Sequence, residues 1–362
     1  MSMAVPLRIG WGLGSAVAAS CAAHHRVGNA RSQSVDDSPV PPLVPGVSRL
    51  IFLGTGNSTG TPRPLPLMDP GVRSLGSQVS RRAAEGLPEQ NKNYRCSPSL
   101  LVQYNASGTP HNIQFDCSKH YRESLLRWYP KFGVRGVNAV VLSHDHADAI
   151  LGLDDLRAVQ RFEKDFAEPV PIFVGVRHVD RVQAVFPYLL RNPFPSQRHV
   201  LGPGIFAPRD GIKVHRFVAA VDFVRVEDFQ RFCTGGLEVQ AVPLWHGSDY
   251  LCQGFLFGAE EKVIYFSDVS EVPEATMEAV QAAGQISLLV VDALFEKTSH
   301  VSHFSLDDAV NLARKLRPKR VLVVGMSDHM DHEETNLKLR KLQEEGLDVQ
   351  LAFDGQFVDL RL

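Results

Sequence analysis

The apolar run Val140-Val141-Leu142 stops at Ser143 and gives way to His144-Asp145-His146-Ala147-Asp148, a His-x-His-x-Asp spacing at the end of a β-forming stretch. Alternate residues at a strand end can turn their side chains to the same side, so His144 and His146 can close on one ion. Imidazole nitrogen and carboxylate oxygen together suit zinc, manganese or iron, and a zinc with an open position lowers the pKa of its water to about 7, which gives a hydrolase its nucleophile. A bare His-x-His pair fits two exposed loop histidines equally well. Strand, turn and carboxylate following in order favour the ion site.

A chain of 362 residues can bury a sizeable core, and we read it as one large layered domain rather than two. Lys and Arg number 38 against 40 Asp and Glu, a net charge of -2, so the whole chain carries no nucleic-acid footprint. The five cysteines are scattered, without a Cys-x-x-Cys pair, as in a protein of a reducing compartment. No apolar run approaches the roughly 20 residues needed to cross a bilayer, so no membrane partner is expected. Before Asp36 there is no acidic residue, while Arg8, Arg26 and Arg31 stand among Ala, Ser and Gly. Residues 1–47 therefore read as a disordered leader and transit peptide for a plastid or mitochondrion. A poor secretory signal is one rival, and a tail without an address on a cytoplasmic protein is another.

After the proline-rich linker 39–45, residues 49–53 predict a first strand that runs into a loop with Gly54, Gly56 and Gly60. Residues 65–93 look too irregular for core elements. Strands are expected over 99–104, 113–116, 139–142, 172–174, 213–218, 237–242, 254–257, 262–266, 288–291, 321–324, 349–353 and 357–360. Helices are expected over 121–129, 153–166 and 333–345. Ser305-Leu306-Asp307-Asp308 carries a capping-box pattern opening one more helix, with Leu306, Ala309, Val310, Ala313 and Leu316 on its buried face. Many strands with a few amphipathic helices argue for a β-rich sandwich covered by helices.

Three more strand ends carry candidate ligands: His246 after 239–242, Asp268 after 262–265, and Asp292 after 288–291. This order, His-x-His-x-Asp, then His-Gly, then Ser-Asp, resembles the metallo-β-lactamase superfamily. The resemblance implies an α+β fold, a four-layer αββα sandwich over 48–362, with the metal site on one edge between the sheets. Leu53-Gly54-Thr55-Gly56, Gly60-Thr61-Pro62-Arg63, Tyr94-Arg95-Cys96-Ser97-Pro98-Ser99, residues 146–157 and His300-x-x-His303 are similar to the branch typified by phosphoribosyl 1,2-cyclic phosphate phosphodiesterase.

The resemblance makes His144, His146 and His246 ligands of one ion, with Asp268 able to bridge to a second and Asp148 belonging to that second ion. Two positions depart from the superfamily pattern: Ala149 and Gly325 stand where relatives often have histidines, as in a eukaryotic sub-branch with the same Asp-Ala and Gly-Met pairs. One ion is therefore better supported than two, with Asp328, His329 and His332 as the remaining weak candidates. The implied cofactor is a divalent metal, zinc first and manganese second. The inventory permits a metal-activated water to attack phosphorus while His303 or His300 protonates the departing oxygen, imidazole having a pKa near neutrality.

Several residues keep two readings. Asp116 and Asp292 either orient a ligand imidazole or end a strand as turn carboxylates. Gly56 and Arg63 either approach a substrate phosphate or serve as ordinary loop punctuation and ion pairing; Arg157 suits an ion pair on its helix. Cys96 and Cys117 read as small core residues. Residues 191–209, rich in Arg, Pro and Phe, form a substrate lid or an idle loop. The function expected first is a metal-dependent phosphodiesterase on a small-molecule cyclic or nucleotide-like phosphoester. A thioester, lactone or RNA-end hydrolase is the second reading, and a non-catalytic binding protein the third.

Overall fold

Apolar residues run unbroken through the central strands because both faces of each are covered. In β11, Ile286–Asp292, every position is buried. The computed structural model describes residues 40–161, 168–189, 218–298 and 300–362. Within them lie two mixed, seven-stranded sheets. The first has β1 (Ser48–Gly54), β2 (Ser99–Tyr104), β3 (His111–Phe115), β4 (Ala139–Leu142), β5 (Val170–Gly175) and β6 (Val221–Val226) in sequence order, with β14 (Phe357–Leu360) outside β1. The second runs from β7 (Arg231–Thr234) through β8 (Leu237–Trp245), β9 (Leu251–Phe257), β10 (Lys262–Phe266), β11 and β12 (Arg320–Val324) to β13 (Val349–Leu351). Each sheet changes partway from antiparallel to parallel pairing: at β3 in the first and at β10 in the second.

Side chains alternate across β1, and the alternation assigns the layers. Leu50 and Phe52 face the core between the sheets, while Ile51 and Leu53 face outward into a second core. Phe115 centres the inner core, its ring 5.5 Å from Phe255 and 5.2 Å from Phe257. Helix α3 (Tyr121–Lys131) covers the outer face of the first sheet with Tyr121, Leu125, Trp128 and Tyr129. Helix α7 (Leu306–Leu316) covers the second with Leu306, Ala309, Val310, Leu312 and Ala313. The capping box expected at Ser305 is present, its hydroxyl accepting from the Asp308 N–H while the Asp308 carboxylate accepts from the Ser305 N–H. Helix, sheet, sheet, helix is the four-layer sandwich.

Several elements differ from the sequence reading. Residues 65–93 contain α1 (Pro64–Met68) and α2 (Leu75–Ala83), the latter burying Val79 and Ala83 under a Ser74 capping box. The helix expected at 153–166 starts earlier, as α4 (Ala147–Ile150), and continues as a 3₁₀ segment, Leu151–Ala158. Its residues 162–166 lie outside the described residues, as do 213–217 of an expected strand and the whole lid candidate 191–209. Strands β6 and β7 and helices α5 (Val179–Val185) and α6 (Glu274–Ala282) were not anticipated. The last helix splits into α8 (His332–Leu339) and a 3₁₀ segment, Arg340–Glu345. Within the leader, 1–39 lie outside the described residues. Residues 40–47 are tied to the domain: Val44 O accepts from Asn105 Nδ2, and Pro41 O from Arg49. No described helix is long and apolar enough to cross a membrane.

Candidate metal centre

The ligand candidates sit just past the ends of β4, β8 and β10, where the ladder stops and side chains are freed. Among the described residues two groups could hold an ion: His144, His146 and His246, and His246, Asp268 and His303, each with its ligand atoms within 4.8 Å of one another. The imidazole rings of His144, His146 and His246 have centroids 4.6, 5.3 and 5.1 Å apart. Asp148 Oδ1 lies 4.0 Å from His144 Nε2.

Each ring is held differently. The hydroxyl of Ser143 lies 2.8 Å from His144 Nδ1, and Asp116 accepts from both the N–H and the hydroxyl of Ser143 at 2.8 and 2.9 Å. Asp116 thus reaches His144 only through a serine. His246 Nδ1 lies 2.7 Å from the Ser302 carbonyl, which fixes its N–H there and turns Nε2 toward the cluster. His146 has no hydrogen bond to its ring among the described residues; instead it stacks on Tyr250 at 4.6 Å and 22°.

Burial and the neighbouring imidazoles press the pKa of His144 well below its ordinary value, so it is neutral, as a ligand must be. Its Nε2 is buried without a hydrogen-bond partner. A buried, neutral imidazole with an unpaired nitrogen facing two more imidazoles fits a divalent cation. Burial raises both Asp268 and Asp148, and repulsion from Asp148 adds to the rise at Asp268; a bound cation would oppose both. His303 behaves oppositely to His144. Burial disfavours its charge, but Asp292 at 2.7 Å, then Asp268 and Asp148, outweigh that and raise it to about 9.

Gly325, at one of the two departures from the superfamily pattern, has a physical reason. With φ at 74°, a Cβ there would lie 1.9 Å from Asp292 Oδ1. The carboxylate that holds His303 occupies the space that a side chain at 325 would need.

The weaker candidates fall elsewhere. Asp328 is spent on an ion pair with Arg63 Nε at 2.6 Å and a bond from Ser80 at 2.7 Å, so Arg63 is partnered rather than free for phosphate. His329 lies beside Asp328 and Phe295. His332 is buried at the start of α8, its Nε2 accepting from Asn336. All three lie outside both candidate groups. Gly56 is required by close packing, since a Cβ there would lie 2.8 Å from that of Arg95. Arg157 pairs with Asp154. Cys96 and Cys117 are buried and their thiols pushed up, which suits core residues. His300 is exposed, 5.4 Å from His303, with Nδ1 accepting from Ser302.

The sequence reading missed Ser143, Tyr250, Asp145 and His178. Ser143 and Asp145, on either side of His144, and Tyr250, in the same turn as His246, gave a local signal; His178 gave none. Arg95, fully buried, went unread as well. It donates to the carbonyls of Ser327 and Met330 at 3.0 and 2.8 Å and braces the loop after β12.

Residues 111–326, more than half of the chain, match the model of the beta-lactamase superfamily domain. A crystal structure of a diphosphatase from the PhnP family superposes with a TM-score of 0.63 at 26% identity, over 87% of this chain and 97% of that one. A ribonuclease Z of Myxococcus xanthus is 26% identical over 69% of this chain and 89% of its own length. An octanoyltransferase of Porphyromonas gingivalis is 21% identical over 80% of this chain, which spans about half of that longer protein, 48%. The chain belongs to the beta-lactamase superfamily and has the metallo-β-lactamase fold.

Proposed function

We propose that this protein is a metal-dependent hydrolase, a phosphodiesterase acting on a small cyclic or nucleotide-like phosphodiester, with residues 48–362 as its hydrolase domain and zinc as its ion. The observation that carries the reading is His303. An imidazole bonded to the Asp292 carboxylate at 2.7 Å, its ring 4.8 Å from that of His246, is placed to act as an acid beside the ion site. An alkoxide leaving group needs such a proton, whereas a thiolate, with a conjugate-acid pKa of about 8.5, needs it far less. This favours a phosphodiester over a thioester. Likeness to the PhnP-family diphosphatase supports the same choice.

His144, His146 and His246 would hold the ion, with Asp268 as the adjoining carboxylate and Asp148 beside them. When bound, the ion supplies Lewis acidity toward a phosphoryl oxygen and lowers the pKa of water toward about 7. Ser143 and the Ser302 carbonyl keep His144 and His246 in the tautomer whose Nε2 lone pair faces the cluster. Asp292 accepts from His303 Nδ1–H, leaving Nε2–H to protonate the departing oxygen, and stabilises the imidazolium until that moment.

An RNA end is the second reading, favoured by likeness to ribonuclease Z and opposed by the net charge of -2. A lactone hydrolase or a non-catalytic binder on this fold are the remaining alternatives. For the leader we retain the transit-peptide reading on composition alone. The test is metal analysis of protein purified without chelator, with turnover of cyclic phosphates, linear phosphodiesters, an RNA with a 3′ trailer, lactones and thioesters. Bound ion and turnover of small phosphodiesters are expected. Turnover confined to thioesters or RNA would overturn the proposal.

A further inference from the structure

We propose that Tyr250 is a positioning residue: it fixes the His146 ring and sets the spacing between the two loops that carry the ion's ligands. The inference rests on the reading of His146 as a ligand. Hydrogen bonds hold two of the three imidazoles, His144 by Ser143 and His246 by the Ser302 carbonyl. His146, the most exposed of them, is held by the face of Tyr250, stacked at 4.6 Å and 22°. A ligand ring that is free to rotate costs affinity, because each binding event must then freeze it.

Tyr250 is itself locked to the His-x-His turn. Its hydroxyl donates to the Asp145 carboxylate, accepts from the Asp145 N–H at 3.3 Å, and lies 3.3 Å from His178 Nδ1. His178 and Arg181, from the start of α5, lie 3.4 and 3.6 Å from Asp145 Oδ2. Asp145 and His178 are almost completely buried, so they form a rigid polar anchor. From the other direction, the Tyr250 carbonyl accepts from the His246 N–H at 2.9 Å, in the turn between β8 and β9. One tyrosine therefore joins the loop after β4, in the first sheet, to the turn after β8, in the second. It touches the ligands of both, with ring centroids 6.1 Å from His144 and 6.0 Å from His246.

The test uses the full-length protein and Co2+ as probe. Affinity is read by chelator competition, geometry by the visible spectrum of the bound ion, and fold by the melting temperature of the metal-free protein. Tyr250→Ala should weaken Co2+ binding about 10–100-fold, the usual scale for groups that orient ligands, and alter the spectrum. Tyr250→Phe keeps the stack and loses the anchor, so its affinity should fall between the two; Asp145→Asn should resemble it. These two variants keep the test open if Tyr250→Ala fails to fold. Wild-type affinity and spectrum in the Tyr250 variants, with binding lost in His146→Ala, would overturn the role of Tyr250 and leave the ligand reading standing. Wild-type binding in His146→Ala would overturn both.

Discussion

Two histidines of the candidate site, each next to His246, show how surroundings move one kind of side chain in opposite directions. His144, in the loop after β4, is pressed well below the usual imidazole range, while His303, between β11 and α7, is raised to about 9. Both are largely buried, so desolvation disfavours charge in each case. The partner decides. His144 bonds the Ser143 hydroxyl, and the Asp116 carboxyl behind that serine is itself pushed by burial to about 8, so little negative charge reaches the ring near neutral pH. His303 bonds a carboxylate directly, at 2.7 Å. The difference supports the proposal in which one imidazole holds the ion and the other supplies the proton.

The largest effect should come from His144→Ala. Removing a buried ligand should abolish stoichiometric ion binding, read by metal analysis, and turnover with it. Retention of one tightly bound ion by that variant would break the comparison at once. His303→Ala should behave differently: full ion content, but turnover reduced about 10²–10⁴-fold on diesters with poor alkoxide leaving groups. The loss should shrink on a p-nitrophenyl ester, whose leaving group departs without a proton. Equal losses on both esters, or an ion lost together with His303, would make His303 a ligand or a structural residue instead.

How much of this could be read in advance follows from distance along the chain. His144, His146 and Asp148 announce themselves by local spacing, and His246, Asp268 and Asp292 each follow a recognisable strand. Strand limits at 99–104 and 139–142 coincide with β2 and β4 because apolar runs and turn residues are local signals. Pairings across the fold have no such signature. Tyr250 lies 105 residues from Asp145, and Arg63 lies 265 from Asp328, so neither partner could be named from spacing. Helix α2 was missed because Gly76, Ser77 and Ser80 make up most of its buried face, leaving only Val79 and Ala83 as apolar markers, and the 3₁₀ segment after α4 because its geometry breaks the 3.6-residue period. The carboxylates were found by position, but their sorting of the histidines needed contacts that only the folded chain supplies.

Ser143→Ala sharpens the contrast on the ligand side. It removes the one group that, among the described residues, is hydrogen-bonded to the His144 ring, without touching the ring itself, so ion affinity should fall about 10–100-fold while protein saturated with ion keeps near-normal turnover. Unchanged affinity would mean that packing alone orients His144. Asp292→Asn should do the reverse, sparing affinity and lowering turnover toward that of His303→Ala.

The smallest effect on the site, and a check on the role of burial itself, should come from Asp354. This carboxyl accepts from the Thr55 hydroxyl at 2.8 Å and the Cys96 N–H at 2.7 Å, with the buried Arg95 guanidinium near enough to feel its charge, and burial raises it to about 7 despite both bonds. Its pKa in the unfolded chain is about 3.9, so the folded state binds the proton more tightly. Its contribution to stability is therefore complete below about pH 4 and fades as pH rises through about 7, by at most about 4 kcal/mol. Asp354→Asn cannot titrate. Between pH 4 and 7 the melting temperature of the wild type should fall relative to that of the variant, with ion affinity alike in the two. Parallel melting curves across that range would mean that Asp354 folds ionised, and that burial counts for less against hydrogen bonds than the contrast between His144 and His303 requires.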